Sequence, residues 1–362
     1  MNEGENFVGE KVFKNIFSTE FNISFHVPRK DKCVKCIKYE NSPGEYQEKK
    51  EKHMSDKEET YSRFQTHQDL RKHDSSILCT TFDLQKVLNT PYGDSMLLYY
   101  SRKIATYNLT FYESVTREGF CFLWNEVEGK RGANEICTIL VKYIEKVDER
   151  GSIKHLLLYC DSCPGQNKNK IVLACIHKSL QKCKNISTIQ MNYLLPGHTY
   201  MPVDSMHSVI EKSVTNNIVW APSQWPTICA LARKVPKPYE VEVLSHKDFE
   251  GWDTILDRYF KGNLAGKISR IRTTTFKKAN PHHIEVKYSM KVEAESEKIE
   301  VIGKGELIPK LIYKSKLPIS KKKYSDLEKL CNNKTIPAMY VAEYKSLPHA
   351  VNVQDFLADN RH

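Results

Sequence analysis

The sequence predicts an α/β protein with a mixed β-sheet covered by helices. Five segments have the apolar or alternating composition of strands: residues 77–84, 107–115, 120–124, 156–160 and 187–195. Apolar residues recur at helical spacing after residue 133 and again after residue 170. One strand and a hairpin, followed by two helix–strand units, imply a mixed sheet with helices on its faces.

The first predicted strand has the pattern of a strand in the middle of a sheet. Residues 77–84 are β-branched and hydrophobic around one acid, Asp83. Residues 116–119 then join the next two strands as a hairpin loop. The chain therefore begins its sheet with one strand and one hairpin, before the first helix.

The strand at residues 156–160 places an acid, Asp161, at its carboxyl end. Pro164 and Gly165 break the pattern there, and a second helix follows. In open α/β sheets, ligands bind beside the carboxyl ends of strands, and the first turn of the next helix offers free N–H groups to phosphate. We therefore expect a functional site at this edge.

The last predicted strand of the core ends in a similar break. Residues 187–195 are followed by Pro196 and Gly197. A helix is then predicted to open at Asp204, because an acid caps a helix N-terminus and suits its dipole.

Composition and charge limit the class of protein. The chain has 362 residues, with 55 Lys and Arg against 44 Asp and Glu and a formal net charge of +11. This charge favours nucleic acid as a partner, although a basic surface that only serves solubility explains it equally well. Most of the eleven cysteines lie in apolar runs, which predicts reduced thiols and an intracellular, reducing compartment. No signal or membrane-spanning segment is evident, so we expect no membrane partner.

We divide the chain into three regions. Residues 1–74 are predicted to form a small helical Cys/His module, residues 75–220 the α/β core, and residues 221–362 a basic α+β C-terminal region. The apolar series between residues 13 and 25 has the pattern of the end of an element that begins upstream.

Cys33 and Cys36 have the spacing of metal ligands. A C-x-x-C knuckle can hold two thiolates on one side of a tetrahedral ion, and a downstream histidine can add a third ligand. Cys33, Cys36 and His53 are therefore candidates for a structural zinc site, with the fourth ligand unassigned. A pair of ordinary free cysteines is the open alternative.

Three acids occupy comparable positions in the predicted elements: Asp83, Asp161 and Asp204. If the first and fourth strands are neighbours, Asp83 and Asp161 meet at close range, which divalent cations between them would stabilise. Mg²⁺ or Mn²⁺ takes oxygen ligands, and a pair of such ions supports phosphodiester cleavage. Taken singly, each acid is more often a turn or cap residue, whereas the three together, in this order of elements, favour a catalytic role.

These residues carry a resemblance to a known superfamily. The element order and the three acids resemble the RNase H-like (retroviral-integrase) superfamily. The local strings resemble an uncharacterised transposon-derived family of animal genomes, from about residue 13 to the C-terminus. The matching strings lie at residues 81–85, 99–103, 125–132, 161–169 and 197–207, and the specific ones are Gly165-Gln166-Asn167-Lys168-Asn169 and Gly197-His198-Thr199.

The resemblance implies a five-stranded RNase H-like core and a two-metal carboxylate triad made of Asp83, Asp161 and Asp204. His207 and Glu211 lie three and seven positions after Asp204, on the same helical face, and either is an alternative or additional ligand. Eight further residues are candidate DNA contacts: Gln166, Asn167, Lys168, Lys130, Arg131, Arg102, Lys103 and His198. His198 is also a candidate metal ligand or proton shuttle.

The sequence leaves two main functional hypotheses open. The first is a transposase-like nuclease and strand-transfer domain in the nucleus, with transposon ends or target DNA as its partner. Self-assembly into a homo-oligomer and an upstream DNA-binding domain remain open within this hypothesis. The second is a catalytically silent, host-retained descendant that binds DNA or protein. A zinc-finger adaptor would need a second pair of ligands, which the sequence does not display.

Overall fold

The computed structural model describes Val12 and residues 33–42, 44–215, 217–255, 259–303 and 309–354. The apolar series predicted between residues 13 and 25 lies outside the described residues. Within them, the chain forms one large mixed sheet with helices packed on both faces.

The core strands and helices follow the predicted order, with β2 and α3 inserted between β1 and β3 and further elements at both ends. The strands are β1 (Ile77–Leu84), β2 (Leu88–Thr90), β3 (Ile104–Glu113), β4 (Glu118–Asn125), β5 (His155–Cys160), β6 (Thr188–Tyr193), β7 (Glu240–Val243), β8 (Thr273–Lys277), β9 (His283–Lys287), β10 (Glu297–Glu300), β11 (Ile319–Ser320) and β12 (His349–Ala350). The helices are α1 (Val34–Asn41), α2 (Gln47–His73), α3 (Met96–Tyr100), α4 (Ala133–Glu149), α5 (Lys170–Lys182), α6 (Pro202–Ser213), α7 (Trp225–Leu231), α8 (Ala265–Ile268), α9 (Lys321–Asn332) and α10 (Ala338–Lys345).

The five predicted strands form the middle of the sheet in the order β4-β3-β1-β5-β6. β3 is antiparallel to both β1 and β4, whereas β1, β5 and β6 are parallel. This arrangement confirms the predicted α/β class and the mixed sheet, and it is compatible with an RNase H-like fold.

The sheet is larger than the predicted five strands. It has ten strands in the described part of the chain, because β8, β9 and β10 extend it beyond β6, β7 pairs with β4, and β2 pairs with β3. Strands from the region predicted to follow the core therefore belong to the same sheet as the core.

The two faces of the sheet are covered by different helices. α4 and α5 bury their apolar stripes against one face, together with Phe82, Leu158 and Met191. α6 and α7 pack on the opposite face, and the long helix α2 contacts that face through Phe64, whose ring lies 4.6 Å from the ring of Tyr159. Thr81 and Asp83 alternate with Phe82 along β1, so Asp83 lies on the face that α6 crosses.

Helices α9 and α10 form a smaller apolar cluster with Ile104 and Val127. None of the helices in the described part of the chain combines the length and the apolar composition needed to cross a lipid bilayer.

Candidate metal centres

The pairing of β1 with β5 brings two predicted acids to the same edge of the sheet. Thr81 lies opposite Tyr159 in the parallel pair. Asp83 and Asp161 each follow two residues later, on the same face and at the carboxyl ends of adjacent strands. The two strands are therefore neighbours, which is the condition under which Asp83 and Asp161 were expected to meet.

Helix α6 brings Asp204 and His207 to Asp83. One donor atom from each of these three residues lies within 4.8 Å of the others. His207 Nδ1 is 4.0 Å from Asp204 Oδ1, and the exposed fractions of the two side chains are 12% and 32%. We call Asp83, Asp204 and His207, with the adjacent Asp161, the carboxylate centre.

Helix α6 begins two residues earlier than predicted, at Pro202. Asp204 is therefore inside the first turn, where one oxygen, Oδ2, accepts a hydrogen bond of 2.7 Å from the backbone N–H of Met201. This contact fixes the carboxylate at the helix N-terminus.

Asp161 is oriented by the loop that follows it. Its Oδ1 accepts hydrogen bonds from Asn167 Nδ2 at 2.6 Å and from the backbone N–H of Cys163 at 3.2 Å. The Oδ1 atom of Asn167 is buried and has no hydrogen-bond partner in the described part of the chain. The loop thus holds one oxygen of Asp161 in place and leaves the other to the site.

Thr110 on β3 sets the orientation of His207. The Thr110 hydroxyl donates to the carbonyl oxygen of Asp83 at 3.1 Å and lies 2.6 Å from His207 Nε2. A hydroxyl has a single hydrogen, so Nε2–H of His207 donates to Thr110 and Nδ1 keeps its lone pair. That lone pair is on the nitrogen nearer Asp204.

The charges of the carboxylate centre are poorly accommodated without a cation. Burial, and then the negative charges of Asp161 and Asp204, raise the pKa of Asp83 to about 8. Burial also raises the pKa of Asp204, against the opposing hydrogen bond from Met201, and lowers the pKa of His207 to about 4. A bound divalent cation would offset both the cost of burying negative charge and the repulsion between the carboxylates. The oxygen and nitrogen donors of this centre are suitable ligands for such a cation.

A second donor group joins the N-terminal helices to the core. Cys33 Sγ is 3.3 Å from His53 Nε2, Cys36 Sγ is 3.3 Å from His198 Nε2, and the two Nε2 atoms are 3.1 Å apart. All four donor atoms lie within 4.8 Å of one another. We call these four residues the Cys/His centre; it contains the three predicted ligands and adds His198.

Gly197 makes the Cys/His centre sterically feasible. Its φ of +82° is in the left-handed region, and a Cβ there would lie 2.8 Å from Cys33 Cβ and 2.9 Å from Cys33 Sγ. Only glycine accepts both the conformation and this approach.

The predicted DNA contacts around the Asp161 loop differ in exposure. Asn167 and Lys168 are buried, with 1% and 5% exposed. Lys168 Nζ donates to the carbonyl oxygen of Ser269 at 3.0 Å, and burial, then the charge of Arg272, lowers its pKa to about 8. Gln166 is half-buried. Asn167 and Lys168 therefore support the loop in this structure.

The other candidates are spread over several elements. Lys130 and Arg131 are exposed after β4. Arg102 forms an ion pair with Asp326. Lys103 donates hydrogen bonds to the carbonyl oxygen of Pro91 and to that of Leu98, which is in α3. Glu211, the alternative ligand, is exposed. Among the described residues, the converging donors of the carboxylate centre are Asp83, Asp204 and His207, without Glu211.

Sequence reasoning missed the polar support beneath α6. Gln85 Nε2 donates to the carbonyl oxygen of His207 at 3.4 Å, and Asn108 Nδ2 donates to Gln85 Oε1 at 2.9 Å. Thr106, Asn108 and Thr110 alternate along β3 as polar residues in an otherwise apolar strand. That alternation was the available indication that this strand faces a polar site.

The fold and the two donor groups define an α/β protein with two candidate metal centres. A family model described as a domain of unknown function (DUF7869) matches residues 112–294, about half of the chain. The chain belongs to this family. The matched residues include Asp161, His198, Asp204 and His207, whereas Asp83 lies before them. No curated protein and no solved structure matches the chain.

Proposed function

We propose that the protein is a transposase-like DNA nuclease or strand-transfer protein of the RNase H-like superfamily. The observation that carries this proposal is the convergence of Asp83, Asp204 and His207 at the edge of the sheet, beside Asp161. Oxygen-rich centres of this kind suit Mg²⁺ or Mn²⁺, with space left for phosphate.

Asp83, Asp161 and Asp204 would hold the metal ions, and His207 Nδ1 would be an additional ligand. When bound, such ions activate a water or hydroxyl group and stabilise the leaving oxygen of a phosphodiester. The protein's own contribution is orientation. Asn167 and the N–H of Cys163 hold Asp161, and the N–H of Met201 holds Asp204.

Thr110 contributes to the chemistry by keeping a proton on Nε2 of His207. This leaves Nδ1 unprotonated near neutral pH, since the pKa of His207 is about 4. The imidazole is therefore ready to bind a cation without first losing a proton.

DNA is the proposed partner, and the nucleus is the proposed location. The net charge of +11 favours a polyanion, and Lys130 and Arg131 are exposed for backbone contacts. Binding of transposon ends or target DNA is part of this proposal. We also propose Zn²⁺ for the Cys/His centre, because two thiols and two imidazoles are its preferred donors.

The first test measures Mn²⁺ binding by electron paramagnetic resonance, without any knowledge of the DNA substrate. We expect wild-type protein to bind Mn²⁺ and Asp161→Asn to bind it at least about tenfold more weakly. Asp69→Asn is the matched control, since Asp69 is a half-exposed acid on α2 that pairs with Lys72 and accepts a hydrogen bond from Gln65, both on the same helix. Equal, weak Mn²⁺ binding by wild type and Asp161→Asn would refute the catalytic proposal.

Nicking of supercoiled plasmid DNA in Mg²⁺ or Mn²⁺ is the second readout. We expect nicking by wild type and none by Asp83→Asn. Mn²⁺ binding without nicking would instead support the catalytically silent descendant that binds DNA or protein.

A further inference from the structure

We infer that the Cys/His centre binds one zinc ion that holds the loop before Asp204 in place. The ion would join α1 and α2 to the segment between β6 and α6, and its occupancy would control assembly of the carboxylate centre. The zinc site stands on its own geometry, whereas the control of the carboxylate centre rests on the proposed function.

The donor geometry fits a closed tetrahedral site. With zinc–sulfur and zinc–nitrogen bonds of ordinary length, the edges between ligand atoms are about 3.3–3.8 Å. The edges in the structure are 3.3 Å for two sulfur–nitrogen contacts and 3.1 Å for the nitrogen–nitrogen contact, so the donors lie within about 0.3 Å of these ideal edges. Four protein donors complete the coordination, which is typical of structural rather than catalytic zinc.

The environment of Cys33 separates it from the other buried cysteines. Cys79, Cys137 and Cys175 lie in the apolar clusters of the core. Cys33 is 6% exposed, yet its sulfur contacts His53 Nε2 and lies 3.8 Å from the carbonyl oxygen of Pro196. Two thiols and two imidazoles whose donor atoms converge on one point are the donor set of a shared cation.

The ligands come from distant parts of the chain. His53 and His198 are 145 positions apart, and Cys36 and His198 are 162 apart. His198 is in the segment at residues 194–201, which joins β6 to α6. A single ion therefore ties the N-terminal helices to this segment.

The same segment touches both sides of the carboxylate centre. On the Asp161 side, Leu194 N–H donates to the carbonyl oxygen of Cys160 at 3.0 Å, and the Ser162 hydroxyl donates to the carbonyl oxygen of Leu194 at 2.8 Å. On the other side, Met201 N–H donates to Asp204. A displacement of His198 would therefore be transmitted to both acids.

The test measures zinc, the loop and the carboxylate centre separately. Zinc per chain is measured by elemental analysis, and the ligand set by the visible absorption of Co²⁺-substituted protein. Hydrogen exchange measures how well the backbone amides of residues 194–204 are protected, and electron paramagnetic resonance measures Mn²⁺ affinity. The variants are His198→Ala, Cys36→Ser and His198→Cys, with His73→Ala as the control because His73 is exposed at the end of α2.

We expect one zinc per chain in wild type and His73→Ala, and at least a tenfold loss of zinc affinity in His198→Ala and Cys36→Ser. These two variants should exchange faster at residues 194–204 and bind Mn²⁺ at least tenfold more weakly. His198→Cys supplies another zinc ligand and should retain zinc, slow exchange and Mn²⁺ affinity, which separates loss of the ion from general misfolding.

Two results would overturn the inference. Wild-type protein without zinc refutes the site, and zinc-free His198→Ala with unchanged exchange and Mn²⁺ affinity refutes the coupling. Failure of the proposed function is distinguishable: wild type would then bind zinc but no Mn²⁺, and hydrogen exchange at residues 194–204 alone would decide whether the ion holds the loop.

Discussion

Thr110 is the residue through which β3 acts on the carboxylate centre. Its hydroxyl links the carbonyl oxygen of Asp83 to Nε2 of His207. Groups that hydrogen-bond to a ligating histidine fix its tautomer and ring orientation, and they commonly affect metal affinity by about 10–100-fold. In the proposed metal site, Thr110 would therefore position the ligand His207 without itself being a ligand.

Replacing Thr110 with Val tests this role. The side chain keeps its shape but loses the hydroxyl, so we expect Mn²⁺ affinity to fall about tenfold, with Asp83 and Asp204 still present. Isothermal titration or electron paramagnetic resonance measures the change.

Thr106→Val is the matched control on the same strand. Thr106 is buried and lies four residues before Thr110, on the same face of β3. Its hydroxyl has no hydrogen-bond partner in the described part of the chain. Its replacement should leave Mn²⁺ affinity unchanged. Equal affinities for Thr110→Val and wild type would show that Thr110 has only a packing role.

The segment between β6 and α6 is the element on which both centres depend. It places Gly197 and His198 at the Cys/His centre, and its last residue, Met201, donates a hydrogen bond to Asp204 of the carboxylate centre. Its backbone is constrained by the positive φ of Gly197 and by contact of that residue with Cys33.

Gly197→Ala is predicted to lower stability and zinc affinity together. The left-handed conformation alone costs about 1–2 kcal/mol for a residue with a Cβ, and the clash with Cys33 adds to it. Urea unfolding measures the stability, and elemental analysis measures the zinc.

Gly151→Ala separates the two causes. Gly151 also has a positive φ, +73°, but a Cβ there meets nothing within 4 Å. Gly151→Ala should lower the stability only by the conformational strain and should leave the zinc content unchanged. If Gly197→Ala matches Gly151→Ala in both measurements, the approach of Gly197 to Cys33 is unimportant.

At the scale of the whole molecule, the core and the C-terminal region share one sheet. β8 pairs with β6, and Phe276 and Ile284 belong to the same apolar cluster as Leu156 and Ile189. Removing residues after 220 would expose both the edge of β6 and this apolar surface. Residues 75–220, which were predicted to form the catalytic core, thus pack against strands that come from the C-terminal region.

We therefore predict that residues 75–220 do not fold cooperatively by themselves. Near-ultraviolet circular dichroism during urea unfolding should show no sharp transition for this fragment and a sharp one for residues 33–354. A cooperative transition in the shorter fragment would establish it as an independent domain.

The central strands were predictable because they are short runs of β-branched and apolar residues whose ends carry turn residues. The ranges of β1, β4 and β5 differ little from the predicted segments. The 27-residue helix α2 is different, since it is highly charged and has few apolar residues to mark a helical stripe. The spacing of apolar residues therefore could not predict where α2 begins and ends, although a helical module was predicted in this region.

The sequence alone determined the α/β class, the order of the core strands and helices along the chain, and the positions of Asp83, Asp161 and Asp204. Local spacing also identified Cys33 and Cys36. Only the tertiary structure brought His198 to those cysteines, placed Thr110 against His207 and buried Lys168. The physical reason is that such contacts depend on sheet register and helix packing between distant residues, whereas periodicity reports only the local environment of each strand and helix.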